Sequence, residues 1–437
     1  MKKGILLPVF SLPSNYGIGD FGNEAYEFID ILSENNIDYW EILPINESKQ
    51  YPYSPISYYA LNKYYISLDK LIDMGLLDKV EPKIKCSRIK YDDYKEKYYK
   101  EAYSNFKEND EFIEFSKNIK IQEFAKYMHK IEKEDERYYI FLQYILDKQW
   151  KELKEYANKN NVKIIGDLPI YPDFNSCEIE YNPNCYELEE GKMKYVSGAS
   201  PDYFNSEGQK WGHPLYDFEY IKSQNYEYLL DRYKEFLTRY DMVRIDHFRA
   251  FDTYYKIPIE KSAKEGFYVE GPGSDFFDRL FEFTTSDRFI VEDLGDIRKE
   301  TEELRDKYSF TRMKIIQYTI NPLDMKDNYN DVENMVIYTG NHDNNTIVGW
   351  YNNLSKLKRE KLKKFLKENE CYDDSINISL IKYCLKSKAR IAIFPVQDII
   401  GLDENSRINL PGHEFDDNWS WELLDFEELK KNIHILK

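Results

Sequence analysis

The chain predicts an α/β fold of eight successive βα units, with a closed (β/α)8 TIM barrel as the simplest arrangement. Three observations carry that reading. Strand-like apolar runs recur at 4–8, 38–44, 162–168, 241–246, 288–293, 313–318, 334–340 and 390–396. Helix-period faces lie between them, the signature of βα units and a parallel sheet. Four of the runs carry an acid at or just beyond their ends: Asp167, Asp246, Glu292 and Asp343. Eight is the count for a closed barrel. Periodicity does not show closure, so a doubly wound open sheet fits the same pattern.

The elements follow in order. Ala25, Phe28, Ile29 and Leu32 are spaced i, i+3, i+4, i+7, one face of a helix between the first two runs. Residues 69–145, rich in Lys, Glu and Tyr, read as a mostly helical insertion. Leu146, Trp150, Leu153 and Ala157 then form a helix face that stops at Asn158-Lys159-Asn160-Asn161 before the third run. Residues 170–222 read as a loop-rich insertion of Asn, Pro, Gly and aromatics. Tyr226, Leu229, Leu230, Tyr233 and Leu237 repeat the helical spacing before the fourth run. Both insertions follow strand C-termini, the side from which barrel loops build active sites. The tail 413–437 reads as an end helix on the barrel, so 1–437 is read as one catalytic domain.

Composition narrows the function. Hydrophobic residues make up 42% of the chain, enough for a large core, yet none of its apolar runs approaches the ~20 residues of a membrane span. The start, Met1-Lys2-Lys3-Gly4-Ile5-Leu6-Leu7-Pro8, is too briefly apolar for a signal peptide. Five cysteines (Cys86, Cys177, Cys185, Cys371, Cys384) without a C-x-x-C favour reduced thiols in a cytoplasm. The formal charge of −18 repels nucleic acid and anionic membrane and leaves a neutral substrate unhindered. Some of the 40 tyrosines are suited to stacking on such a substrate.

A carboxylate at the end of a buried strand is costly, and four in series point to one shared polar site. Arg244 and Asp246 stand i, i+2 on one strand face, so the cation can hold Asp246 ionised, as a carboxylate nucleophile requires. A purely structural pair fits that segment equally well. Glu292 ends the apolar Phe289-Ile290-Val291, where a raised pKa suits a general acid. Asp293 faces the other way and reads as structural. Two carboxyls flanking a glycosidic bond are the minimum for retaining glycoside chemistry. Gly340-Asn341-His342-Asp343 also resembles an element of dinuclear-metal phosphoesterases. That chemistry needs an Asp-x-His and further histidines, whereas this chain has six histidines and no Asp-x-His.

The motifs together resemble the 4-α-glucanotransferases of glycoside hydrolase family 77. They are Gly4-Ile5-Leu6-Leu7, Tyr16-Gly17-Ile18-Gly19-Asp20, Gly166-Asp167-Leu168-Pro169 and Ser200-Pro201-Asp202-Tyr203-Phe204. Gly208-Gln209-Lys210-Trp211-Gly212-His213-Pro214, the Asp246, Glu292 and Asp343 segments, Arg407-Ile408-Asn409-Leu410-Pro411-Gly412 and Asn418-Trp419-Ser420-Trp421 complete the set. The resemblance implies Asp246 as nucleophile, Glu292 as acid/base, and Asp343 with His342 as the grip on the distorted sugar. It implies Arg244 as the group orienting Asp246, Asp202 and Trp211 as cleft lining, and Tyr53 as a stacking ring. It further implies maltooligosaccharide substrates, glucose as an acceptor, and no metal or organic cofactor. Departures fall at Pro8-Val9, at Ser54 after Tyr51-Pro52-Tyr53, and at Glu422, none of them a carboxylate of the set. A glucan hydrolase with the same carboxylates and a catalytically silent glucan binder are the alternatives.

Overall fold

Lys2–Leu6 and Ile391–Pro395, almost the whole chain apart, pair in parallel, and that pairing closes the sheet. The computed structural model describes residues 1–201, 206–295, 297–412 and 415–437. The eight barrel strands, in order, are Lys2–Leu6, Tyr39–Glu41, Lys163–Leu168, Met242–Ile245, Phe289–Val291, Thr311–Ile315, Met335–Tyr338 and Ile391–Pro395. Each is parallel to the strands before and after it in the chain. The barrel is therefore closed, and the open sheet is excluded.

The helices pack as their apolar spacing requires. In the helix Asn23–Glu34, Ala25, Phe28, Ile29 and Leu32 are fully buried. Burial of such side chains stabilises by about 1.5–3 kcal/mol each for the larger ones. In Glu136–Lys159 the face Leu146, Trp150, Leu153 and Ala157 is buried likewise. In Glu227–Arg239, Phe236 takes the core place expected of Leu237, which is only partly buried. Gly166 in the third strand admits the ring of Tyr240, because a Cβ there would lie 2.3 Å from it. The region 69–145 supplies helices at Glu96–Asn105, Asp110–Phe115 and Ile119–Glu132. The tail ends in the helix Glu427–Asn432, with Leu429, Ile433 and Leu436 buried.

Two features depart from the pattern. Within 170–222 the strands Tyr195–Ala199 and Gln209–Lys210 join Thr253–Pro258 and Phe267–Glu270 in an antiparallel four-stranded sheet. Half of that sheet comes from beyond the fourth barrel strand, so local pattern does not announce it. The sixth strand also ends early, at Ile315, and a four-residue helical turn, Ile316–Thr319, stands where a full helix is expected.

A buried cation secures the irregular chain that follows. Lys314 Nζ lies 2.6 Å from Asp327 Oδ2 and also bonds Asp331, with the Lys314 and Asp327 side chains 1% and 0% exposed. Lys314→Met is expected to cost about 3–5 kcal/mol, since it strands a buried carboxylate. Equilibrium denaturant unfolding measures this, and an unchanged midpoint would refute it.

No helix among the described residues is long and apolar enough to cross a membrane.

Candidate active site

The third, fourth and fifth strands deliver their terminal acids around one guanidinium. In register, Asp167 lies opposite Arg244. Arg244 Nη1 donates to both oxygens of Asp167, at 2.7 and 2.8 Å, and to Asp246 Oδ1 at 3.1 Å. Its Nη2 stands 3.6 Å from Glu292 Oε2. The i, i+2 pairing of Arg244 with Asp246 is thus present, but the shorter contacts go to Asp167. The Gly166-Asp167 strand end marked Asp167 in sequence; its partner is set by cross-strand register.

The chain turns sharply after Asp246. His247 adopts φ 48° and ψ 55°, a left-handed conformation uncommon for a non-glycine residue. The turn aims the His247 backbone N–H at Glu292 Oε2, 2.7 Å away. The His247 ring meets the Trp211 indole edge-on, with centroids 4.8 Å apart. Asp293, on the opposite face, pairs with Arg305 at 2.6 Å and accepts the Met313 N–H, a structural role.

The seventh strand brings His342 and Asp343. His342 Nε2 lies 3.4 Å from Asp343 Oδ2, and Asn409 Nδ2 donates to Asp343 Oδ1 at 2.6 Å. Arg407 donates to the Asp343 carbonyl. The Tyr53 ring stacks on His342, with centroids 4.9 Å apart and planes inclined by 21°. The Tyr53 hydroxyl donates to Asp167 Oδ2 at 2.5 Å. Tyr53 therefore links the acid below the cleft to the histidine at its wall.

Asp246, Glu292, His342, Asp343, Tyr53 and Trp211 all line one cleft of ≈ 390 Å³. Arg244 lies beneath it, its side chain 3% exposed. Asp202 falls outside the described residues. Sequence reasoning assigned no role to Tyr318, Asn409 or Trp419, which line the same cleft. Asn409 and Trp419 sat in motifs already recognised, whereas Tyr318, just beyond the end of the sixth strand, had no motif to flag it. Tyr255 and Tyr268, from the four-stranded sheet, also line this cleft.

Burial pushes both central carboxyls upward against the pull of Arg244. Asp246 rises to about 6, and Glu292, further raised by the Asp246 charge, to about 8. Arg244 lowers both groups but does not keep Asp246 at an ordinary carboxylate pKa. Near neutral pH one carboxyl is thus an anion and its neighbour an acid, the division of labour that acid/base chemistry on one bond needs. Asp343 behaves oppositely: burial favours its neutral form, but His342 and Asn409 hold it down to about 2. Burial disfavours protonated His342, yet Asp343 raises its pKa overall.

Comparison with known proteins agrees with this site. The model of glycoside hydrolase family 77, described as 4-alpha-glucanotransferase, matches residues 7–135 and 114–426. The chain is 37% identical to the 4-alpha-glucanotransferase of Clostridium butyricum, covering 95% of each chain. It is 36% identical to that of Synechocystis, over 96% of this chain and 93% of the relative. An amylomaltase from Streptococcus agalactiae, solved in complex with acarbose, superposes with a TM-score of 0.92 at 27% identity, covering 100% of this chain and 98% of that one. With its closed barrel and its strand-end acids gathered in one cleft, this chain belongs to the 4-alpha-glucanotransferase family, glycoside hydrolase family 77.

Proposed function

We propose that this enzyme moves α-1,4-glucan segments between maltooligosaccharides by a retaining double displacement, with Asp246, Glu292 and Asp343 carrying the chemistry. The observation that carries the assignment is the single guanidinium of Arg244, 3.1 Å from Asp246 and 3.6 Å from Glu292, between carboxyls of split acidity. Asp246 attacks the anomeric carbon as Glu292 protonates the departing glycosidic oxygen. The donor's reducing-end fragment leaves, and its non-reducing segment stays as an ester on Asp246. Glu292, now a carboxylate, takes the proton from an acceptor hydroxyl, which displaces Asp246 and restores both groups. Asp343 and His342 hold hydroxyls of the flattened ring, Tyr53 stacks on the sugar, and Trp211 lines the cleft. That a relative was solved with acarbose supports a glucan-shaped ligand here.

Transfer requires a sugar hydroxyl to win over water, so the cleft must position the acceptor and exclude solvent. Glucose is the smallest acceptor we assign. All five cysteines are free thiols, which supports a cytoplasmic setting.

Incubation with maltotriose tests the reading. Glucose together with maltopentaose and longer chains, at a constant number of reducing ends, is the expected result. Rising reducing ends with only shorter products would make the enzyme a hydrolase.

The split acidity sets the pH profile. Activity is expected to be lost as pH falls through about 6, where Asp246 takes up a proton, and as pH rises through about 8, where Glu292 loses one. With an α-maltosyl fluoride donor, whose leaving group needs no proton, the alkaline limb of the first half-reaction should vanish. Its persistence would assign that limb to another group.

A further inference from the structure

Asp398 is a buried carboxylate that the reaction above does not use. It belongs to the helix Val396–Ile400, directly after the eighth strand, and is 1% exposed. Its Oδ2 accepts the Thr339 hydroxyl at 2.5 Å, and its Oδ1 accepts the Ile347 N–H at 2.8 Å. Those donors stand at the two ends of one loop. Thr339 follows the seventh strand, Ile347 opens the helix Ile347–Asn352, and His342 and Asp343 lie between them. Burial raises the Asp398 pKa to about 6, and what pulls the other way is these two hydrogen bonds rather than a cation. The Asp398 backbone is fixed in turn, since Asn377 Nδ2 donates to its carbonyl at 3.0 Å.

Gln317, on the helical turn Ile316–Thr319, grips the same loop. Its Nε2 donates to the Thr339 carbonyl at 3.0 Å and to the Asn345 carbonyl at 2.9 Å. It comes so close because residue 340 is glycine; a Cβ there would lie 2.6 Å from Nε2. Inside the loop, Asn344 Oδ1 accepts the Asn341 N–H and Asn341 Oδ1 accepts the Asp343 N–H, both at 3.0 Å. Asn409 holds the tip, its N–H on the His342 carbonyl at 3.1 Å. A loop cross-bonded in this way moves as a unit, so its two ends set where the His342 and Asp343 side chains point. A buried carboxylate without a cation is costly, and two donors aimed at it offset that cost. An apolar side chain in its place would leave a hydroxyl and an N–H unpaired.

We propose that Asp398 is a positioning residue for glucan transfer, joining the two ends of the 339–347 loop so that His342 and Asp343 meet the reacting sugar in one fixed place. The inference rests on the role given to Asp343 above.

The test reads kcat and KM on maltotriose well below each variant's melting midpoint, with circular dichroism giving the folded fraction. Asp398→Ala is expected to lower kcat per folded molecule by about 10²-fold with KM little changed, the loss that a group misplaced by about 1 Å produces. A purely structural tie would lower the folded fraction and leave each folded molecule as fast, which would overturn the proposal. Asp398→Asn should recover most of the loss. Its amide oxygen accepts the Ile347 N–H, and its NH₂ donates to the Thr339 hydroxyl, which accepts as readily as it donates. An Asn variant as slow as the Ala variant would overturn the clamp. Should Asp398→Ala fail to fold, Thr339→Val opens one end of the loop at nearly constant shape, and an unchanged kcat there would overturn the clamp equally. Asp343→Asn, run alongside, separates the two claims. If it keeps full activity, the role given to Asp343 falls and the clamp with it. If it is silent while Asp398→Ala is fully active, the clamp alone falls.

Discussion

Asp246→Asn is expected to lower transfer by about 10⁴–10⁶-fold, the scale seen when a covalent catalyst's nucleophile or its close partner is removed. The amide is nearly isosteric, so the cleft keeps its shape, but its oxygen is too weak a nucleophile to form the glycosyl ester. Glucan binding should survive, because Tyr53, Trp211, His342 and Asp343 are untouched. Quenching of Trp211 and Trp419, both in the cleft wall, provides the binding readout. Near-normal turnover in this variant would remove Asp246 as nucleophile.

Arg244→Leu is the second large effect, and it acts on stability and chemistry together. Arg244 supplies the short ion pair to Asp167, whose side chain is 1% exposed. Without it Asp167 keeps the Tyr53 hydroxyl but no cation, and breaking a buried pair from one side costs about 3–5 kcal/mol. The same loss removes the charge that holds Asp246 and Glu292 down, so both should titrate higher and the acid limb of activity should move upward. Adding Asp167→Leu to Arg244→Leu should restore part of the lost stability, because the stranded charge goes with it. A double variant less stable than Arg244→Leu alone would refute the account.

Arg244 also shows where sequence reasoning stops. Its link to Asp246 was legible because neighbours two apart share a strand face. Its stronger link to Asp167 depends on how two strands 77 residues apart are registered. Tyr53 and His342, 289 residues apart, stack only because the barrel closes. The order of acidities was half legible. A raised Glu292 followed from its apolar strand, but the rise of Asp246 to about 6 needed the depth of burial beside a cation already shared with Asp167.

The sequence by itself determined the eight strands, the apolar faces of the helices and the strand-end placement of the acids. Each is set by side-chain period or by burial cost within a few residues. The motifs then carried the family and singled out three carboxylates that the fold gathers in one cleft. Tertiary structure alone decided closure, the four-stranded sheet that contributes Tyr255 and Tyr268 to the cleft, and the replacement of a sixth full helix by a chain secured at Lys314. It also decided which charges share a partner. These depend on contacts between residues far apart in the chain, where strand register and burial, rather than local pattern, set the energy.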